Sequence, residues 1–219
     1  MGNGPIAIGG YNEAMGTNCP IAIGMSNKSN GDSSIALGNL NKATGNNSVA
    51  IGANNNSSGW GSVTLGKSCM ASGGNSSVAT GYYTVASGAS SHAEGSNTLA
   101  SGEGSHAEGG YTETRNFYAH AEGLRTISSG TESHSEGYET IADGTAAHAE
   151  GEYTVANGVA SHAEGIGTIA EGNAQHAFGK YNIKDNQEVY VEIVGKGSGS
   201  DNRSNARTLD WQGNEWLAG

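Results

Sequence analysis

The chain has 219 residues, of which 37 are glycine and only 2 proline; 14% are charged, and the net charge is −11 with neutral histidines. Ten lysines and arginines spread thinly along the chain form no clustered cationic surface of the kind phosphate backbones need, which excludes nucleic acid as a partner. No run approaches the roughly 18 apolar residues of a membrane-spanning helix, and Met1-Gly2-Asn3-Gly4-Pro5 opens no charged and apolar leader, so no signal peptide is expected.

Read on composition alone, so much glycine would suggest a low-complexity segment. The glycines are periodic, however. From the N-terminus the chain reads IAIG at 6–9 and 21–24, IALG at 35–38, VAIG at 49–52, VTLG at 63–66 and VATG at 78–81. It continues as HAEG at 92–95, 106–109 and 120–123, HSEG at 134–137, HAEG at 148–151 and 162–165, and HAFG at 176–179. Ten of the twelve spacings between closing glycines are 14 residues and two are 15. Such a period is the signature of a solenoid.

Between these runs lies a weaker half-repeat of small-x-Gly type, as in Ala14/Gly16, Ala43/Gly45, Ser57/Gly59, Ala86/Gly88, Ala142/Gly144 and Ala170/Gly172. Each coil therefore predicts two short strands and two glycine turns, the glycines supplying positive φ where the chain reverses. Seven residues per half-coil leave no room for a helix.

Alternation assigns the faces. In V-A-I-G the alanine points one way and its two neighbours the other. Glu13, Lys28, Lys42 and Asn56 precede the small residue of the second strand and belong in water, so Ala14, Ser29, Ala43 and Ser57 point inward. The column Asn12, Asn27, Asn41, Asn55, Cys69, Thr84, Thr98, Thr126, Thr140, Thr154 and Thr168 also faces in, as a polar ladder. Cys19 and Cys69 lack any pairing signature and read as small repeat-position residues. So thin an interior leaves the Val/Ile/Leu pairs to be buried by a partner chain, each worth about 1.5–3 kcal/mol, which predicts an oligomer. Thirteen parallel coils about 4.8 Å apart make a rod on the order of 60 Å long.

The SxAxGxNSVAIG pattern, clearest at Lys42–Gly52 (KATGNNSVAIG), resembles the head repeat of YadA-like trimeric autotransporter adhesins. The later T-[VIL]-A-x-G-x-x-S-H-A-E-G form is similar to a variant of that repeat found in bacterial surface proteins and phage tail-fibre-like proteins. The resemblance implies an all-β, left-handed parallel β-roll of about 13 coils with three chains packed around a threefold axis.

Beyond Gly179 the register is lost. Glu188–Val194 alternates as a half-buried strand, a polar loop spans Gly195–Asn205, and Thr208–Trp211 and Glu215–Leu217 flank Gln212-Gly213-Asn214 as a hairpin. Two domains follow: the β-roll head over 1–181, and a cap or junction over 182–219 that covers the exposed strand edge of the last coil. The tail SNARTLDWQGNEWLAG resembles the junction that follows such heads in phage tail-fibre-like proteins.

All the histidines lie in the repeat, at His92, His106, His120, His134, His148, His162 and His176, and Glu94, Glu108, Glu122, Glu136, Glu150 and Glu164 follow two residues later on the same face. Three readings compete: a structural His–Glu ladder at a subunit interface with charge-assisted hydrogen bonds, a Zn²⁺ or Ni²⁺ site on a threefold axis, and acid–base catalysis. Identical copies fit a repeat rule, whereas catalysis needs one differentiated site. Where V-A-I-G gives way to H-A-E-G, the exposed polar column of the second strand becomes Val85, Leu99, Ile127, Ile141, Val155 and Ile169, so subunit packing shifts along the rod.

One coil breaks the rule. In Gly110–Ala119 (GYTETRNFYA) Thr114 stands for the small residue and Asn116 for the glycine. Asn tolerates the left-handed conformation and preserves the turn. Phe117 and Tyr118 are then exposed beside Arg115. They read either as drift or a local subunit contact, or as a patch for glycan or protein recognition, with Tyr82, Tyr83, Tyr111, Tyr138 and Tyr153 near the same turn edge. The sequence calls for no catalytic residue, metal or cofactor. It points to a non-enzymatic fibre head for adhesion to a cell-surface glycan or protein, on a phage tail or similar particle or on an extracellular surface. The alternatives are a purely structural spacer, a bacterial adhesin head fragment, and a glycan-cleaving enzyme, which would need paired carboxylates in a cleft.

Overall fold

The structure is a computed structural model that describes residues 4–218. It is a parallel β-solenoid of about fourteen turns, with no helix among the described residues. Packing groups the chain into two compact units, Met1–Tyr111 and Thr112–Gly219.

In the first unit the long strands run from Ile6–Gly10 to His106–Gly110 and the two-residue strands from Glu13–Ala14 to Leu99–Ala100. Each long strand pairs in parallel with its counterpart one coil on, without slippage: Ile35, Ala36, Leu37 and Gly38 face Val49, Ala50, Ile51 and Gly52. The short strands stack likewise, Lys42 on Asn56 and Ala43 on Ser57. In the second unit the same rule carries His148, Ala149, Glu150 and Gly151 onto His162, Ala163, Glu164 and Gly165.

The alternation predicted from sequence holds. Ala36, Ala43, Ala50, Ala149, Ala156 and Ala163 are completely buried. From Asn27 on, the Asn/Thr column is buried too, and it includes Thr112 in the irregular coil, while Asn12 in the first coil is half-buried. In the early coils it is a true ladder: the Asn41 side-chain amide donates to the Leu37 and Gly52 carbonyls at 2.8 Å, and its Oδ1 accepts from the Asn55 backbone N–H at 3.0 Å. Most threonines continue the column without the bonds: the Oγ1 atoms of Thr84, Thr98, Thr126, Thr140 and Thr154 are buried with no hydrogen-bond partner among the described residues, whereas Thr168 Oγ1 donates to Glu164 O at 2.9 Å.

The glycines do different work from that expected. Closing glycines such as Gly52 do adopt positive φ, here 122°, and a Cβ there would overlap the carbonyl oxygen of Gly66 in the next coil. Half-repeat glycines such as Gly45 lie outside the positive-φ region and are required only by close approach, a Cβ there overlapping the Gly59 carbonyl oxygen. The left-handed corners fall mostly on non-glycine residues, roughly every seven positions: Leu40, Asn47 and Asn54 in the first unit, Arg125, Glu132, Glu139, Ala146 and Tyr153 in the second, all with φ of 52–58°. Each such corner costs about 1–2 kcal/mol in an L-residue. It is offset because the corner N–H reaches a carbonyl of the neighbouring coil, as Asn54 reaches Asn39 (2.9 Å) and Ala146 reaches Thr131 (2.8 Å).

Outward side chains on the early long strands remain open. Ile23, Ile51 and Leu65 are 36–40% exposed, forming an aliphatic column on a roll whose interior is mainly alanine, serine and asparagine.

At the C-terminal end, side-chain amides substitute for a missing coil. Asn182 accepts from the Ile169 N–H (2.7 Å) and donates to the Ile169 carbonyl (2.9 Å). Gln175 accepts from Glu171 N–H and donates to Tyr190 O at 2.8 Å. The strand expected at 188–194 is Tyr190–Lys196. It adds in parallel to the long stack, with Gly195 on Gly179 and the fully buried Ile193 on Ala177. Asn205–Asp210 and Glu215–Leu217 then form the antiparallel hairpin, its first strand starting earlier than the sequence suggested. Asp210 closes the turn by accepting from the Gln212 and Asn214 N–H groups.

Candidate functional site

Each histidine of the ladder opens a long strand and each glutamate holds its third position, so both project from the outer face, half-buried. The coil repeat stacks the imidazoles face to face. In the first unit the His92 and His106 rings are 4.8 Å apart and 1° from parallel. In the second, successive rings from His120 to His176 are 4.7–4.9 Å apart and within 8° of parallel.

The pairing differs from the expected one. Sequence proximity couples each histidine to the glutamate two residues on. In the second unit Nε2 instead turns to the preceding coil: His134 to Glu122 at 3.5 Å, His148 to Glu136 at 3.3 Å, His162 to Glu150 at 3.1 Å and His176 to Glu164 at 3.6 Å. In the first unit the contacts are looser and shared, with His106 Nε2 at 3.8 Å from both Glu94 and Glu108, and His92 at 3.9 Å from Glu94. Burial holds the His92 and His176 imidazoles below their ordinary range. The charge on the stacked neighbour, His106 or His162, acts the same way, against the pull of the nearby carboxylates.

Donor atoms of His134, Glu136 and His148, or of His162, Glu164 and His176, lie within 4.8 Å of one another. Stacked parallel rings aim their Nε2 lone pairs side by side and not at one point, whereas a tetrahedral ion needs converging donors. A single chain therefore presents a row of donors, not a chelate.

The second candidate is the irregular turn. Arg115, Phe117 and Tyr118 are all exposed, Phe117 by 51% and Tyr118 by 63%. Arg115 is held in a fork by Glu113, with Nε and Nη2 donating to Oε1 and Oε2 at 2.8 and 2.9 Å. That guanidinium lowers the Glu113 carboxyl below the usual carboxylate range. The left-handed residue is Tyr118, φ 54°, and not Asn116. Asn116 occupies a position defined by close approach, and its side-chain amide donates to Ser129 O at 3.2 Å. The other tyrosines do not share this edge: Tyr83, Tyr111 and Tyr153 are left-handed residues of the corner after the long strand, and Tyr118 of the corner before it. The seven-residue half-period separates the two columns.

Sequence reasoning missed two recesses in the second unit. One, about 800 Å³, has Ile183, Val189, Tyr190 and Trp216 along its apolar wall. The other, about 300 Å³, lies among Tyr153, Gly167, Tyr181, Ser200 and Arg203. The only signal for the smaller one was a glycine at 167 where neighbouring coils carry a side chain, and nothing in the sequence ties Arg203 to it.

Comparison with curated proteins gives no match. Residues 21–41, 29–55, 79–105 and 149–174 match the family model described as YadA head domain repeat (2 copies). The matched segments include both V-A-I-G and H-A-E-G coils, and over these segments the chain carries YadA-like head repeats.

Proposed function

We propose that this chain is a non-enzymatic fibre head in which three left-handed rolls pack in register around a threefold axis and present their sides for adhesion to a cell-surface glycan or protein. The observation that carries the reading is the open aliphatic column of Ile23, Ile51 and Leu65. A roll filled mainly with alanine has little of its own to offset chain entropy, and like columns on identical chains cover each other under rotational symmetry. The His–Glu ladder continues that interface where the column turns polar. Residues 1–181 form the head and 182–219 its cap or junction, and the place of assembly is a phage tail, a similar particle or an extracellular surface. The resemblance of the SNARTLDWQGNEWLAG tail favours the particle. YadA-like heads are adhesive and not catalytic, and every recurrent carboxylate here belongs to the ladder, so no hydrolase activity is proposed.

Light scattering on the purified chain tests the assembly: a trimer is expected, and a stable folded monomer of 22.1 kDa refutes it. The lateral site is tested by Phe117→Ser with Tyr118→Ser, which should abolish binding on a glycan array while the assembly stays folded. A second reading, a spacer that only positions another domain, is favoured by the uniformity of the rungs. It gains if the wild-type assembly binds no glycan or cell surface.

A further inference from the structure

The smaller recess is built by a gap in one column. The corner after the long strand carries a left-handed residue in each coil: Glu139, Tyr153, Gly167 and Tyr181. Glycine at 167 removes one side chain from the row. Tyr153 and Tyr181 both line the recess that remains. The Tyr181 ring leans over the glycine, so that a Cβ at Gly167 would overlap it.

Arg203, brought back by the loop after Tyr190–Lys196, completes the wall. Its Nη1 donates to the carbonyls of Gly167 (2.8 Å) and Asn182 (3.1 Å), which uses both hydrogens on that nitrogen. The guanidinium carbon lies 5.7 Å from the Tyr181 ring centroid, a cation–π distance that fixes its plane. The side-on fork of Nε–H and Nη2–H remains, with no hydrogen-bond partner among the described residues. A pre-oriented fork of this kind takes a planar carboxylate in two parallel bonds. Glu139 and Glu152 lie close enough to the Tyr153 hydroxyl to help raise its pKa, after Tyr138. Glu139 is engaged by Arg125 at 2.9 Å, and the polar side chain that lines the recess beside Arg203 is Ser200. A volume of about 300 Å³ is at the low end for a ligand pocket and suits a single ring.

We infer that this recess is a subsite for a carboxylate-bearing sugar ring of the uronic-acid class. The carboxylate sits on the open fork of Arg203, the apolar ring face on Tyr153, and the hydroxyls towards Ser200. The inference deepens the adhesion reading and rests on it for a surface glycan as the source of the sugar. The site is separate from the Arg115–Tyr118 turn, whose arginine is already engaged by Glu113.

The test uses the full chain with free D-galacturonic acid and, as the uncharged match, D-galactose, followed by saturation-transfer NMR and calorimetry. Galacturonate is expected to bind about tenfold more tightly than galactose, the size of one charge-assisted contact. Tyr153→Ala should weaken it by a similar factor while the chain stays folded, because the same left-handed corner carries residues as different as Ser68, Asn97 and Glu139 in other coils. Arg203→Lys should remove the preference for the acid, since a lysine keeps the charge and loses the fork. Equal binding of the two sugars, no binding of galacturonate, or an unchanged affinity in Tyr153→Ala overturns the inference. Adhesion of the same preparation to a glycan surface separates the two claims. Adhesion without galacturonate binding sinks the recess alone, and galacturonate binding without adhesion upholds the recess and sinks the fibre-head reading.

Discussion

His148 Nε2 lies 3.3 Å from Glu136 Oε1 of the preceding coil, while the glutamate of its own coil, Glu150, lies 3.1 Å from His162 Nε2. The ladder is therefore a staggered chain in which each coil hands its carboxylate to the next coil's imidazole. Side chains lean along a strand according to rotamer, so partners on one face are set by that lean as well as by spacing in sequence.

The stagger has an energetic signature. A double-mutant cycle between Glu136→Ala and His148→Ala should give a coupling of about 0.5–1 kcal/mol in a single chain, where both groups are half-exposed. The cycle between His134→Ala and Glu136→Ala should give a coupling near zero. By the same logic, swapping His134→Val with Glu136→Ile to imitate Val49-Ala50-Ile51 strands Glu122 and His148, and should lower stability. His148→Val with Glu136→Ile removes one complete pair and should be nearly neutral. Denaturant melts of the wild type and these variants decide it, and equal coupling within and between coils would restore the in-coil pairing.

Stability should fall with acidification, and the sign follows from the direction of the histidine shifts. The folded-state pKa values of His92 and His176 lie below the unfolded value of about 6.5, so the unfolded chain binds more protons in this range. The stability they contribute is present above pH 6.5 and is lost as pH falls through their folded pKa values. Around His176 the titratable and charged groups are His162, Glu164 and Glu150, with Glu192 paired to it in register on the added strand. NMR titration should place the His176 midpoint below 6.5, and His162→Gln should raise it by removing the second cause. A midpoint above 6.5 would mean that the carboxylates dominate.

Steric demand separates two glycines of the first unit. Gly52→Ala should cost at least about 2 kcal/mol, because φ is 122° and the new Cβ overlaps Gly66 O. Gly10→Ala should change stability by less than about 0.5 kcal/mol, since a Cβ there meets nothing within 4 Å. Similar melting temperatures for the two variants would refute the close-approach account of the repeat.

The inner polar column should respond in opposite directions at its two ends. Asn41→Ala removes three donated contacts, to Asn27 Oδ1, Leu37 O and Gly52 O, and one accepted bond inside the roll, and unsatisfied backbone groups cost about 1–3 kcal/mol each. Thr140→Val replaces a buried hydroxyl that has no partner by a methyl group of the same shape, and should be neutral or stabilising by up to about 1 kcal/mol. A loss on Thr140→Val would reveal a bond to that hydroxyl.

By itself the sequence determined the repeat, the two strands of each coil and the face to which each residue points. It did so because a parallel stack in register places residue i over residue i+14 (Ala36 over Ala50, His148 over His162), so that periodicity is structure. The tail was legible in kind but not in bounds, because the strand after the coils extends the stack wherever its glycine meets the last closing glycine, Gly195 on Gly179. Tertiary structure alone decided what alternation leaves open. Which carboxylate meets which imidazole depends on rotamer. Which residues turn left-handed depends on corner geometry, which falls on Tyr118 and Glu139 as readily as on glycine. That Arg203 comes to rest on Gly167, 36 residues away, depends on a loop outside the repeat, where no period constrains the chain.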